Sequence, residues 1–260
     1  MGWYVSFVFW RGSSTNLQKI FIGAEYYLPI YFQSVKQAGP FRSGALILPF
    51  VVCEALAGIL SGIFIHQTGG YLEPIYVGLL LLTIGNGLFI LFGTSTNLGE
   101  IIVFELIAGL GAGGLFSPPL IALQSFVPKD DVATATGMLG FIRNLATSMS
   151  IVVAGVLFKN GMDLRHDALE AAGLSPTLLR AFSGPNAEAN VMLIGRISNA
   201  TQQMVVKEAF SWSLRHLWIM YTGVAGIALF TSFFIGKAVL STEHVETKTG
   251  LKRLSTEREA

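Results

Sequence analysis

The stretch Thr136–Phe158, TGMLGFIRNLATSMSIVVAGVLF, carries one formal charge, Arg143, with Asn144 beside it. The rest is apolar, small or hydroxylic. A helix needs about 20 mostly apolar residues to cross a bilayer, and this stretch supplies them. It is either a membrane span with an arginine at depth or a buried helix of a large soluble protein. Composition decides between the two. Of 260 residues, 52% are hydrophobic and only 13% charged, and mean hydropathy is +0.59. A soluble domain carries about 25% charged residues. Abundant glycine, 29 residues here, also fits membrane helices better than soluble ones.

Working outward, the same pattern recurs. Besides Gly137–Phe158, the segments Ala45–Ile65, Ile75–Thr94, Ile101–Leu123 and Leu217–Leu240 read as spans. A sixth, about Ile20–Val35, is shorter and holds Glu25, Tyr26 and Tyr27. Of the 17 basic and 16 acidic side chains, only Glu25, Glu54, Glu105 and Arg143 fall well inside these segments. Random placement would put many more there. The fold class expected is an all-α integral membrane protein, a bundle of about six helices over residues 20–240.

Residues 1–19 stand apart. Their apolar run precedes Arg11, the reverse of a signal peptide, in which a basic region comes first. Residues 241–260 form a charged tail. The connections KQAGPFRSG, HQTGGYLEP, STNLGE and QSFVPKDDVAT are short and rich in turn formers. The exception is Lys159–His216, a long polar connection expected outside the membrane. It includes the locally helical stretches DALEAAGL and TQQMVVKEAF and a glycosylation sequon at Asn199.

Six crossings put both termini on one side. If that side is the cytosol, the lysines and arginines divide evenly between the two faces. Positive-inside counting discounts long loops, and removing Lys159–His216 then favours cytosolic termini. The sequon would face the glycosylating side.

A charged side chain at membrane depth costs about 2.5–3.5 kcal/mol on insertion scales, so it turns toward protein or an aqueous cavity. Arg143 therefore either lines a substrate path or pins helices through carbonyls. Asn144, about 100° around the helix, faces another contact. Glu54, near mid-span, either exchanges a proton for substrate or links helices as a neutral acid. Glu105 lies nearer a helix end and reads as a group that reaches water. Glu25, Tyr27 and Gln33 are candidates for a polar, aromatic wall, against an interfacial aromatic belt for the tyrosines.

Small residues mark helix packing. Gly58 and Gly62, and Gly109 and Gly113, are each four apart, a spacing that lets backbones approach closely. Pro118 and Pro119 break the helix after GLGAGGLFS. No GK[ST] follows, so this is no phosphate loop. No cluster of histidine and acidic residues makes a catalytic or metal site, no cofactor is indicated, and the lone Cys53 excludes an intrachain disulfide. A net charge of +1 offers no basic field for nucleic acid.

The segments GAEYYLPIYFQSVKQAGPFRSGALILPF, GIFIHQTGGYLEPIYVG, GLGAGGLFSPPLIALQSFVPKDDVATATG and FIRNLATSMSIVVAGVLF are similar to the carboxyl-terminal half of a fourteen-span major facilitator superfamily transporter. The likeness is to the drug:proton antiporters common among fungal efflux pumps, and runs from Gly23 to Leu240. It implies cytosolic termini, a plasma-membrane location, a small lipophilic organic substrate and protons as the exchanged ion. Two departures stand out. The superfamily's cytosolic loop of glycine, acid and base is reduced here to GIFIHQTGGYLEP, with no lysine or arginine between His66 and Pro74. The amino-terminal bundle of a complete member has no counterpart before Gly23. The chain thus reads as a half-transporter in need of a second bundle, its own copy or a full-length transporter. A non-transporting membrane partner and an inactive truncated product are the alternatives.

Overall fold

A computed structural model describes residues 22–234. The expected segments 1–19 and 241–260 lie outside the described residues, as do the first residues of the Ile20–Val35 span and the end of Leu217–Leu240. The described residues contain ten α-helices, short 3-10 turns and no strand. In chain order the helices are α1 Ile22–Ser34, α2 Pro40–Leu46, α3 Leu48–Thr68, α4 Leu72–Phe89, α5 Leu98–Gly114, α6 Pro118–Phe126, α7 Val132–Leu164, α8 His166–Ala171, α9 Pro176–Phe182 and α10 Ala200–Ser232.

Local chemistry sets the ends. Pro49 opens α3, and Gly69 closes it in the left-handed region at φ 68°, where a side chain would be strained. Asn97 caps α5 by accepting from Glu100 N at 2.9 Å, while the Glu100 carboxylate accepts from Asn97 N at 3.2 Å. The two reciprocal bonds satisfy free N–H groups of the first turn. Ser117, Pro118 and Pro119 then interrupt the rod, and α6 continues beyond them. At the end of α1, Lys36 Nζ donates to the carbonyls of Thr94 (2.9 Å) and Thr96 (2.5 Å), fastening α1 to the loop between α4 and α5. Burial pushes the Lys36 pKa down, and Glu100 opposes that shift.

Among the described residues, four stretches are long and apolar enough to cross a membrane: Pro40–Thr68, Leu72–Phe89, Leu98–Ser125 and Val132–Leu164. They pack in a simple order. Helix α3 lies on α5, α5 on α4, α4 on α10, and α10 on α7, while α1 rests against α10 and α7. Glycine seams bring α3, α4 and α5 together. A Cβ on Gly109 would stand 2.6 Å from Phe50 O. One on Gly113 would collide with Glu54 O, and one on Gly85 would stand 2.5 Å from the Ala108 Cα. These contacts are backbone against side-chain-free backbone, as close helix packing in membranes requires. Gly58 makes only ordinary contacts, and Gly62 faces open space. Among the described residues Gly62 packs against no helix. The spacing was right, but that face of α3 meets no helix. Gly78 and Gly111, in the α4–α5 seam, and Gly161, against Ser213 of α10, do the packing that spacing alone did not reveal.

The connection Lys159–His216 is also revised. Helix α7 runs on to Leu164, and α10 begins at Ala200. Each has 33 residues, or about 50 Å of helix, against a hydrocarbon core of about 30 Å. Hydropathy finds the span, whereas the helix continues past it. The buried stripe Val206, Phe210, Ser213, Leu217, Tyr221 and Ala225 runs along α10 at helical spacing through the polar portion. Between α7 and α10 the chain is folded, with Leu169, Phe182 and Ile194 buried in the same core as α1 and α10. Gln202 Nε2 donates to Gly173 O at 2.7 Å, and Gln203 Nε2 to Ile194 O at 3.0 Å, which holds this cap onto α10.

Candidate functional site

One flank of the bundle is uncovered. Leu56, Leu60 and Phe64 on α3 and Phe141, Leu145 and Met149 on α7 are exposed. Ionisable groups gather along this flank. Glu25 on α1 and Glu54 on α3 are both half-buried and close enough to interact electrostatically. One turn beyond Glu54 is Gly58, where a Cβ would stand 3.9 Å from the Phe116 Cβ. The Phe116 ring in turn carries the Arg143 guanidinium at 4.8 Å. Arg143 of α7 is thus stacked on a ring that lies against α3 one turn from Glu54. A cation over a ring face gains roughly 0.5–2 kcal/mol, more when water is excluded. The Arg143 Nε is enclosed and has no hydrogen-bond partner.

The other expected residues divide. Asn144 is exposed on α7, one position around from Arg143. Gln33 is half-buried and donates to Ser43 Oγ at 3.4 Å, which ties α1 to α2. Tyr27 differs from expectation. It is 1% exposed, and its hydroxyl donates to Ile151 O at 3.2 Å. It clasps α1 to α7 instead of lining a path, and Tyr26, 53% exposed, holds the outward position. Adjacent helical positions point about 100° apart, so two neighbouring tyrosines cannot share a face. Tyr27→Phe is expected to lower stability by about 1 kcal/mol and leave substrate preference unchanged. Thermal unfolding beside a ligand-binding assay checks both.

Two residues escaped the sequence reading. Phe116 was visible only as an aromatic before a Pro-Pro break, and nothing local pairs it with Arg143. Glu105, expected to reach water, is fully buried at 0% exposure. Among the described residues no group of histidine, cysteine and acidic side chains is placed to hold a metal ion.

A bundle of long apolar helices of this kind belongs to an integral membrane protein. The chain belongs to the Major Facilitator Superfamily, whose family model matches residues 2–151. It is 40% identical over 239 residues to the MFS-type transporter ppz2 of Metarhizium majus, covering 92% of this chain and 41% of that protein. It is 37% identical over 233 residues to the efflux pump dotC of Dothistroma septosporum, covering 90% and 40%. It is 37% identical over 227 residues to an MFS-type transporter of Aspergillus terreus, covering 87% and 41%. The chain therefore spans about 40% of the length of the curated relatives it matches.

Proposed function

We propose that this chain is one bundle of an exporter that moves small lipophilic organic compounds out of the cell in exchange for protons. The observation that carries the reading is the line Glu25, Glu54, Phe116 and Arg143 on the flank that no helix of the bundle covers. Acids at membrane depth take up and release protons, and sites of this kind lie at the interface of two bundles near the bilayer midplane. Relatives named as efflux pumps support the direction of transport. The reading is of transport, not catalysis.

The uncovered flank of α3 and α7 is assigned to a second bundle, since these relatives have more than twice the length of this chain. Both termini are placed in the cytosol and the chain in the plasma membrane, with Lys159–His216 on the outer side. Asn199 suits a glycan there. It caps α10 through Oδ1, accepting from Thr201 N at 2.9 Å, so the exposed amide nitrogen is left for the sugar.

Reconstitution tests the proposal. Vesicles containing this chain alone are expected to show no proton-gradient-driven uptake of lipophilic dyes, because one bundle has nothing to rock against. Co-expression with the amino-terminal portion of a relative should restore saturable uptake, and an Asn199→Gln variant should lose a glycan mobility shift. Robust uptake by the isolated chain at low density would overturn the two-bundle reading.

A further inference from the structure

The uncovered flank does not account for the most deeply buried acid of the molecule. Glu105 is 0% exposed, and neither carboxyl oxygen has a hydrogen-bond partner. Its place on α5 explains the burial. Ala108, three residues on, meets Gly85 of α4, and Gly109, four residues on, meets Phe50 of α3. The glycine seams that draw α3 and α4 onto α5 thus close over the Glu105 side chain. Phe50, Phe89, Ile101 and Ala108 belong to the same buried core.

Among the described residues no cation compensates it. Helices α3 and α4, which pack on α5, contain no lysine or arginine. Their titratable groups are Cys53, Glu54 and His66 on α3 and Glu73 and Tyr76 on α4. His66 is in the last turn of α3 and Glu73 in the first turn of α4, both far along the bundle from Glu105. On α5 itself Glu100 is engaged in the cap. The nearest acid across the seam is Glu54, whose backbone N would lie 3.3 Å from a Cβ on Gly109. An unpaired buried anion is costly in its own right.

We propose that Glu105 is a second proton-binding residue, set behind the flank that carries Glu25, Glu54 and Arg143, and that it holds its proton while α3, α4 and α5 are packed as described. Release breaks the O–H bond, passes the proton to water, and leaves a carboxylate that this packing does not accommodate. Deprotonation and separation of the seams are therefore one event. Two further buried donors are unpaired. Asn86 Nδ2, on the buried face of α4, and Trp218 Nε1, on α10, have no partner. The Trp218 ring is 6.2 Å from Phe89 and 5.4 Å from Phe92, which is itself 5.9 Å from Phe104 beside Glu105.

The coupling of this site to transport rests on the reading proposed above, but the proton itself can be read on the chain alone. Infrared difference spectroscopy of the full chain in lipid nanodiscs at neutral pH should show a carboxylic-acid carbonyl band. That band should disappear in Glu105→Gln and persist in Glu54→Gln and Glu25→Gln. Glutamine is the isostere of the neutral acid, so Glu105→Gln should keep the helicity and unfolding temperature of the parent. Loss of folding in Glu105→Gln would overturn the proposal, since only an anion with a partner suffers from that change. A band that is absent, or unchanged in a folded Glu105→Gln, would overturn it equally. None of these outcomes depends on whether the chain transports anything.

Discussion

Gly113→Ala is expected to disrupt the bundle, although it adds a single methyl group. The added Cβ would run into Glu54 O of the neighbouring helix. That oxygen belongs to helix backbone and cannot rotate away as a side chain would. Small-to-large changes in a packed interior cost about 1–3 kcal/mol, sometimes more. A backbone collision lies at the upper end, about 3 kcal/mol. Gly62→Ala is the control. Nothing stands within 4 Å of its Cβ position, and no loss is expected. Thermal unfolding of the two purified variants measures the contrast. Equal stability would show that the seam between α3 and α5 is looser than the structure has it.

The second large effect is on transport. In an assembly of this chain with an amino-terminal bundle, Arg143→Ala is expected to reduce dye export about tenfold or more, with membrane levels unchanged. Losing the stack on Phe116 removes roughly 1–2 kcal/mol, and about 1.4 kcal/mol is tenfold in rate. Arg143→Lys should recover part of the activity, because the charge returns without the planar guanidinium that stacks on the ring. Phe116→Leu should resemble the lysine variant. Export rates normalised to surface expression decide the matter. If Arg143→Ala lost insertion and export to the same degree, Arg143 would be a structural pin and not part of a path.

Much of the fold was legible because membrane helices announce themselves in composition. Four of the expected spans could be placed by the scarcity of charge, and Gly109 and Gly113 by their spacing. What spacing cannot say is which face of a helix meets a neighbour. Gly62 shares the interval of Gly109 and Gly113 yet faces open space, while Gly85 and Gly111, without that interval to any marked partner, carry the α4–α5 seam. Helix ends were misjudged for a related reason. Hydropathy reports the lipid-facing stretch, and α10 starts well before it because Val206 and Phe210 pack on protein. Among candidate site residues, Arg143 and Glu54 were singled out because charge at depth is rare. Tyr27 and Glu105 were misplaced because burial depends on three-dimensional neighbours. The Tyr27 hydroxyl donates to the Ile151 carbonyl, and Glu105 is covered by helices distant in sequence.

The glycine seams have a mechanical meaning as well. Where Gly113 meets the Glu54 carbonyl and Gly85 meets Ala108, backbone interlocks with backbone, and sliding by a fraction of a turn would drive rigid atoms together. While Glu105 keeps its proton and the seams stay closed, helices α3, α4 and α5 therefore travel as one stiff plate. The long helix α7 is attached differently. Its buried residues, Ser150, Ala154, Phe158, Gly161 and Met162, all lie in the half toward the cap, where Gly161 is pressed against Ser213 of α10. The half that bears Arg143 has only half-buried or exposed positions. It is held more loosely, by Gln124 Nε2 donating to Thr136 Oγ1 at 3.2 Å and by the Arg143–Phe116 stack, so bending there moves Arg143 more than the clamped end and the cap above it.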